Sequence, residues 1–220
     1  MTQELDTRTT AAAATSRPRD VVVGAALVAG ALLFLPSGLL HPEPGPGTGL
    51  EQVHDMVTDP LWIPSAALMV GAFALFAVAF VRLRNGAERL RRVLGWGALT
   101  SAAVALGAFV YLFGQVGAEP LARDEATWFS WVMFATHLVV NPAWGLAVAA
   151  IAVAGASTQR RHGPSWLLSL VAGVVGGLAW AVSMVTAPYL DLDDVLFPIA
   201  GTLLTLWFLG HGIAFLRGGR

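Results

Sequence analysis

The sequence predicts an all-α, polytopic membrane protein with six transmembrane helices and both ends in the cytoplasm. Three observations carry this expectation: composition, six uninterrupted apolar stretches, and a one-sided distribution of arginine. Of the 220 residues 56% are hydrophobic and only 12% are charged, and the mean hydropathy is +0.67. A soluble domain ordinarily has about a quarter of its residues charged, so this surface is not built to be wetted on all sides. A helix needs roughly 20 largely apolar residues to cross about 30 Å of hydrocarbon. Residues 21–40, 61–81, 93–117, 128–156, 166–187 and 195–216 meet that length without a single Asp, Glu, Lys or Arg.

All thirteen basic residues are arginine, and positively charged flanks are retained on the cytoplasmic side of a membrane. Arg8, Arg17 and Arg19 precede the first span, Arg82, Arg84, Arg89, Arg91 and Arg92 fill the loop after the second, Arg160 and Arg161 follow the fourth, and Arg217 and Arg220 lie after the sixth. Only Arg123 falls opposite, in a loop with Glu119, Asp124 and Glu125. The other two outer loops carry Glu43, Glu51, Asp55 and Asp59, then Asp191, Asp193 and Asp194, so the outer face is acidic. Residues 1–20 read as a disordered cytoplasmic tail and 21–217 as the bundle. The first span lacks a small-residue cleavage site and reads as retained. With the arginine, alanine and glycine bias of a high-GC genome, the expected location is the cytoplasmic membrane of a bacterium.

Within the spans, Asn141-Pro142 is the expected kink of the long fourth helix, because proline removes a backbone donor and clashes with the preceding turn. Gly97, Ser101 and Ala105, and Gly173, Gly177 and Ala181, form small-residue stripes that let helices approach closely. Trp62 and Ala66 are echoed by Trp131 and Ala135, and Ala103, Gly107 and Tyr111 by Ala172, Gly176 and Trp180, at a constant offset of 69. That is the pattern of a parallel repeat of spans two–three and four–five. Trp62, Trp128 and Trp131 at outer ends, with Trp96 and Trp166 at inner ends, fit headgroup anchors.

The first outer loop predicts a short amphipathic helix at about 49–58. Thr48-x-x-Glu51 is a capping-box pattern, and Leu50, Val53 and Val57 follow at helical spacing before Pro60. Glu51, Asp55 and Asp59, with His54 beside them, share the other face. Such a set can hold a divalent cation, and a solvated acidic face has the same pattern; no metal is assigned.

Ionisable residues within spans are costly to bury and are functional candidates for that reason. His137, with Asn141 one turn on, and Gln115 near the outer end of span three are the expected lining of an outward-opening pocket, with Ser183 as a further polar point. His211 lies about sixteen residues from the outer end of its span and His137 about ten from its own. At 1.5 Å per residue they differ in depth by roughly 9 Å, which disfavours a haem shared between them. His41, at the outer end of span one, is the better neighbour for His137.

The last outer loop reads Asp191-Leu192-Asp193-Asp194 and resembles the DxDD motif of class II terpene cyclases. In compact helical form the chain is also similar to the small membrane-bound terpene cyclases. The resemblance implies Asp193 as proton donor, with Asp191 and Asp194 tuning its acidity and Glu51 a partner across the rim, since clustered carboxyls cannot all ionise. An acidic loop that caps the sixth span has the same appearance. Three readings stay open: an acid-catalysed cyclase or isomerase of terpenoid or prenyl substrates, a small transporter or channel subunit, and an accessory, haem- or quinone-binding protein. The expected partners are the lipid bilayer, a hydrophobic small molecule and a second copy of the chain. Nucleic acid is excluded, because the arginines form no basic face and the net charge is -1. The absence of cysteine excludes disulfides, thiolate metal sites and a thiol nucleophile.

Overall fold

The computed structural model describes residues 20–43, 45, 49–158, 164–186 and 193–218, and among them there is no strand. The helices are α1 (Val21–Leu39), α2 (Gly49–Thr58), α3 (Trp62–Gly86), α4 (Arg91–Tyr111), α5 (Ala118–Ala122), α6 (Trp128–Ala135), α7 (Asn141–Thr158), α8 (Pro164–Thr186) and α9 (Asp193–Leu216). Six segments are long and apolar enough to cross a membrane, the fourth running from Trp128 to Ser157 through α6 and α7. The chain is therefore a multi-pass membrane protein in contact with a lipid bilayer. Thr48, first member of the capping-box pattern, and residues 1–19 lie outside the described residues.

Local chemistry accounts for the helix boundaries. Asp20 caps α1 by accepting the Val23 amide at 3.1 Å, and Thr127 and Ser130 form a reciprocal capping box at the start of α6. The break in the fourth span lies one turn ahead of the proline. Residues Thr136–Val140 form a π turn, and the Asn141 amide reaches back to the Thr136 carbonyl. Pro142 has no N–H to return to the preceding turn, so the ladder widens there. The third span is shorter than its apolar run. It stops at Tyr111, and Gly114–Gly117 form a 3-10 turn leading into α5. A Cβ at Gly114 would lie 2.8 Å from Trp62 Nε1 and 3.1 Å from Val57 Cγ1. Only glycine lets the chain fold that closely over the bundle end.

The spans close a ring in which α1 packs on α3, α3 on α4, α4 on α7, α7 on α8, α8 on α9, and α9 on α1. Aromatic rings fill its centre: Phe34, Phe73, Phe76, Trp144, Trp180 and Phe208, all buried. Phe76 stacks on Phe208 with centroids 4.0 Å apart, and Phe73 meets Trp144 edge-on at 4.7 Å. The small-residue stripes bring the walls in. A methyl on Gly177 would strike the Gly145 carbonyl oxygen and the reverse substitution would strike Gly177. Ser101 accepts the Trp144 indole N–H at 3.0 Å.

Two expectations about tryptophan change. Trp128, Trp131 and Trp96 project outward at 63%, 67% and 62% exposure, as anchors do, but Trp62 is 1% exposed. Its indole donates to the Tyr111 carbonyl at 2.7 Å, satisfying an acceptor that the end of α4 leaves open. Trp62 and Trp131, paired in the suspected repeat, thus occupy opposite environments.

Candidate functional site

The polar side chains gather at the acidic end, beneath α2. This helix packs its Val53 and Val57 against Trp62, Ala66, Ala108, Tyr111, Leu121, Phe129 and Met133, while Glu51 and Asp55 face outward. Its apolar face therefore seats on the bundle as a cover. The described residues hold no group of three or more His, Cys, Asp or Glu arranged to bind a metal ion.

Under this cover His41, Trp62, Ser65, Ala66, Met69 and Tyr111 line a narrow recess. Ser65 donates its hydroxyl proton to the Ser37 carbonyl at 2.8 Å, and His41 Nδ1 lies 3.4 Å from the Ser65 hydroxyl oxygen. A serine has one proton to give, so Nδ1 carries its own proton toward Ser65. In that tautomer Nε2 is the ring's acceptor nitrogen. The ring lies 5.7 Å from that of Trp62. His41 is held neutral, with its pKa lowered to about 4, first by burial and then by repulsion from His137.

His137 is half-buried in the π turn. Beside it Thr136 is buried and faces the Tyr111 side chain. A methyl at Gly107 would run into Thr136, so this glycine makes room for the contact. Asn141 is 5% exposed, and its carboxamide oxygen has no hydrogen-bond partner among the described residues.

The structure puts His137 within electrostatic reach of His41 and sets Asn141 inside the bundle. Gln115 is elsewhere. Because α4 ends at Tyr111, Gln115 falls on the 3-10 turn and is exposed, outside the recess. Ser183 is buried but bonds its own helix, donating to the Trp180 carbonyl at 3.1 Å. His211 sits on α9 in the opposite half, paired with Ser169 at 2.9 Å and edge-on to Trp207 at 4.7 Å. Asp191 lies outside the described residues; Asp193 and Asp194 open α9, and their side chains are likewise outside. Ser65, Tyr111, Thr136 and the buried role of Trp62 escaped sequence reading. A serine and a tyrosine in apolar runs were the available signals.

No protein-family model matches the chain, and no curated protein or solved structure does.

Proposed function

We propose that this membrane protein binds a lipid-soluble small molecule through a hydroxyl headgroup at the His41–His137 cluster. The observation that carries this reading is a neutral His41 in a recess with Trp62, Ser65 and Tyr111, within electrostatic reach of His137 from another span. The buried Asn141 oxygen is a second acceptor in the same region, so the complementary ligand brings proton donors. The π turn that holds His137 is a feature often found at functional sites, and α2 shields the cluster from water. The packed aromatic centre weighs against a channel along the bundle axis.

Binding of radiolabelled farnesol to the detergent-solubilised chain tests the proposal. Saturable binding is expected, competed by unlabelled farnesol, poorly competed by farnesyl methyl ether, and lost in His41→Leu. Equal competition by the ether, which has no proton to donate, refutes it.

A catalytic version rests on the Asp191–Asp194 motif. It is favoured by α9 beginning at Asp193, at the same end of the bundle as the histidines. Asp193 then donates a proton to a prenyl alkene, with Glu51 across the rim. Asp193→Asn abolishes conversion of a prenyl substrate under this reading while leaving expression and folding intact. Unchanged growth and metabolite profile of a deletion strain complemented with Asp193→Asn and Glu51→Gln together exclude it.

A further inference from the structure

The junction of α3 and α4 carries Arg82 and Arg84 at the end of α3, Arg89 in the 3-10 turn between them, and Arg91 and Arg92 at the start of α4, all exposed, against the single acid Glu88. Among the described residues none of the five is in an ion pair. The arginine at the acidic end is treated differently: Arg123 binds Glu119 at 2.9 Å and Glu125 at 3.5 Å. Charge is neutralised at one end and left open at the other.

The open cluster is continuous with an apolar stripe. On α4 the exposed residues Arg92, Trp96, Leu99 and Leu106 follow at helical spacing and share one face. Trp96, Leu99 and Leu106 are 62%, 60% and 66% exposed. Arg84 crosses from α3 to lie over Gly95, its Nε 3.6 Å from where a Cβ would sit. That draws a third guanidinium toward Arg91 and Arg92. Guanidinium groups match phosphate oxygens in bidentate geometry, while the tryptophan and leucines below suit a glycerol backbone and acyl chain.

We propose that Arg84, Arg91 and Arg92 with the Trp96–Leu99–Leu106 stripe form a binding site for an anionic phospholipid, its phosphate on the arginines and an acyl chain along α4. A role of these arginines in topology alone predicts no preference among lipids bound from solution.

The test uses the purified full-length chain in nanodiscs of phosphatidylcholine doped with acyl-brominated phosphatidylglycerol or acyl-brominated phosphatidylcholine at equal mole fraction. Quenching assigned to Trp96, as the difference between wild type and Trp96→Phe, is expected to be severalfold stronger with the brominated anionic lipid. An arginine near an anionic surface contributes roughly fivefold in partitioning. The preference should therefore collapse in R84Q/R91Q/R92Q and survive in R123Q. Equal quenching of wild-type Trp96 by the two lipids overturns the proposal, whether or not the triple variant folds. So does full loss of the preference on adding millimolar inorganic phosphate at constant ionic strength, which would make the site one for free phosphate.

Discussion

The centre of the bundle and its acidic end are both buried, but different forces hold them. In the centre, rings from α1, α3, α7, α8 and α9 interlock, and helix backbones meet through Gly145 and Gly177. Lipid tails are as apolar as these side chains, so close packing and not water exclusion drives that association. The acidic end is assembled from α2, the 3-10 turn, α5 and the ends of four spans. Its directional contacts are Trp62 to the Tyr111 carbonyl and Ser65 to the Ser37 carbonyl. One region is dense and chemically inert; the other spends polar groups on position. Burial in the centre produces stability, whereas burial at the end holds His41 neutral with hydrogen-bonding capacity.

The largest separation between the regions is expected from Phe76→Ala. Phe76 is fully buried and touches Phe34, Phe73, Trp144 and Phe208. The cavity should cost about 3–5 kcal/mol, measured by denaturant unfolding in micelles. A loss under 1 kcal/mol would mean the rings are not tightly packed.

Acid titration probes the other region. The folded-state pKa of His41 is about 4, below the ordinary value of about 6.5. The unfolded chain therefore binds more protons between those values, and stability falls as pH drops through that window. It is unaffected by His41 above about pH 6.5 and levels off below about pH 4. The gap of about 2.5 in pKa, at about 1.4 kcal/mol for each, sets an upper bound of about 3.5 kcal/mol, reduced by the ring's partial exposure. His41→Asn should flatten the profile between pH 4 and 6.5, and an unchanged profile would place the acid sensitivity elsewhere.

A smaller effect, about 1–2 kcal/mol, is expected from Trp62→Phe. It keeps most of the ring volume but leaves the Tyr111 carbonyl without the indole donor. Hydrogen exchange should rise in α2 and at the end of α4, which Trp62 joins, and stay unchanged in α8. Uniform acceleration across all helices would show that the end and the centre unfold as one unit.

Much of the fold was legible in the chain. The six apolar runs coincide with the six spans to within a few residues, except where Gly114 and Gly117 turn the third one early. The bounds of α2 followed from Leu50, Val53 and Val57 because that helix, unlike the spans, has a polar face to contrast with its apolar one. At the candidate site, His137 and Asn141 were singled out by the cost of burying polar groups in a membrane, and His41 by its depth. Trp62 was misread, because a tryptophan at a span end is equally at home in a headgroup layer and beneath a covering helix.

By itself the sequence determined how many times the chain crosses and where each crossing begins, since hydrocarbon thickness sets a length that local composition must satisfy. Tertiary structure decided which side of each helix faces its neighbours. A span that is apolar all round carries almost no directional signal, lipid and protein interior being equally apolar. Its rotation was fixed by where glycines permit contact and where a few polar atoms find partners. That choice buried Trp62, excluded Gln115 and set His41 within electrostatic reach of His137.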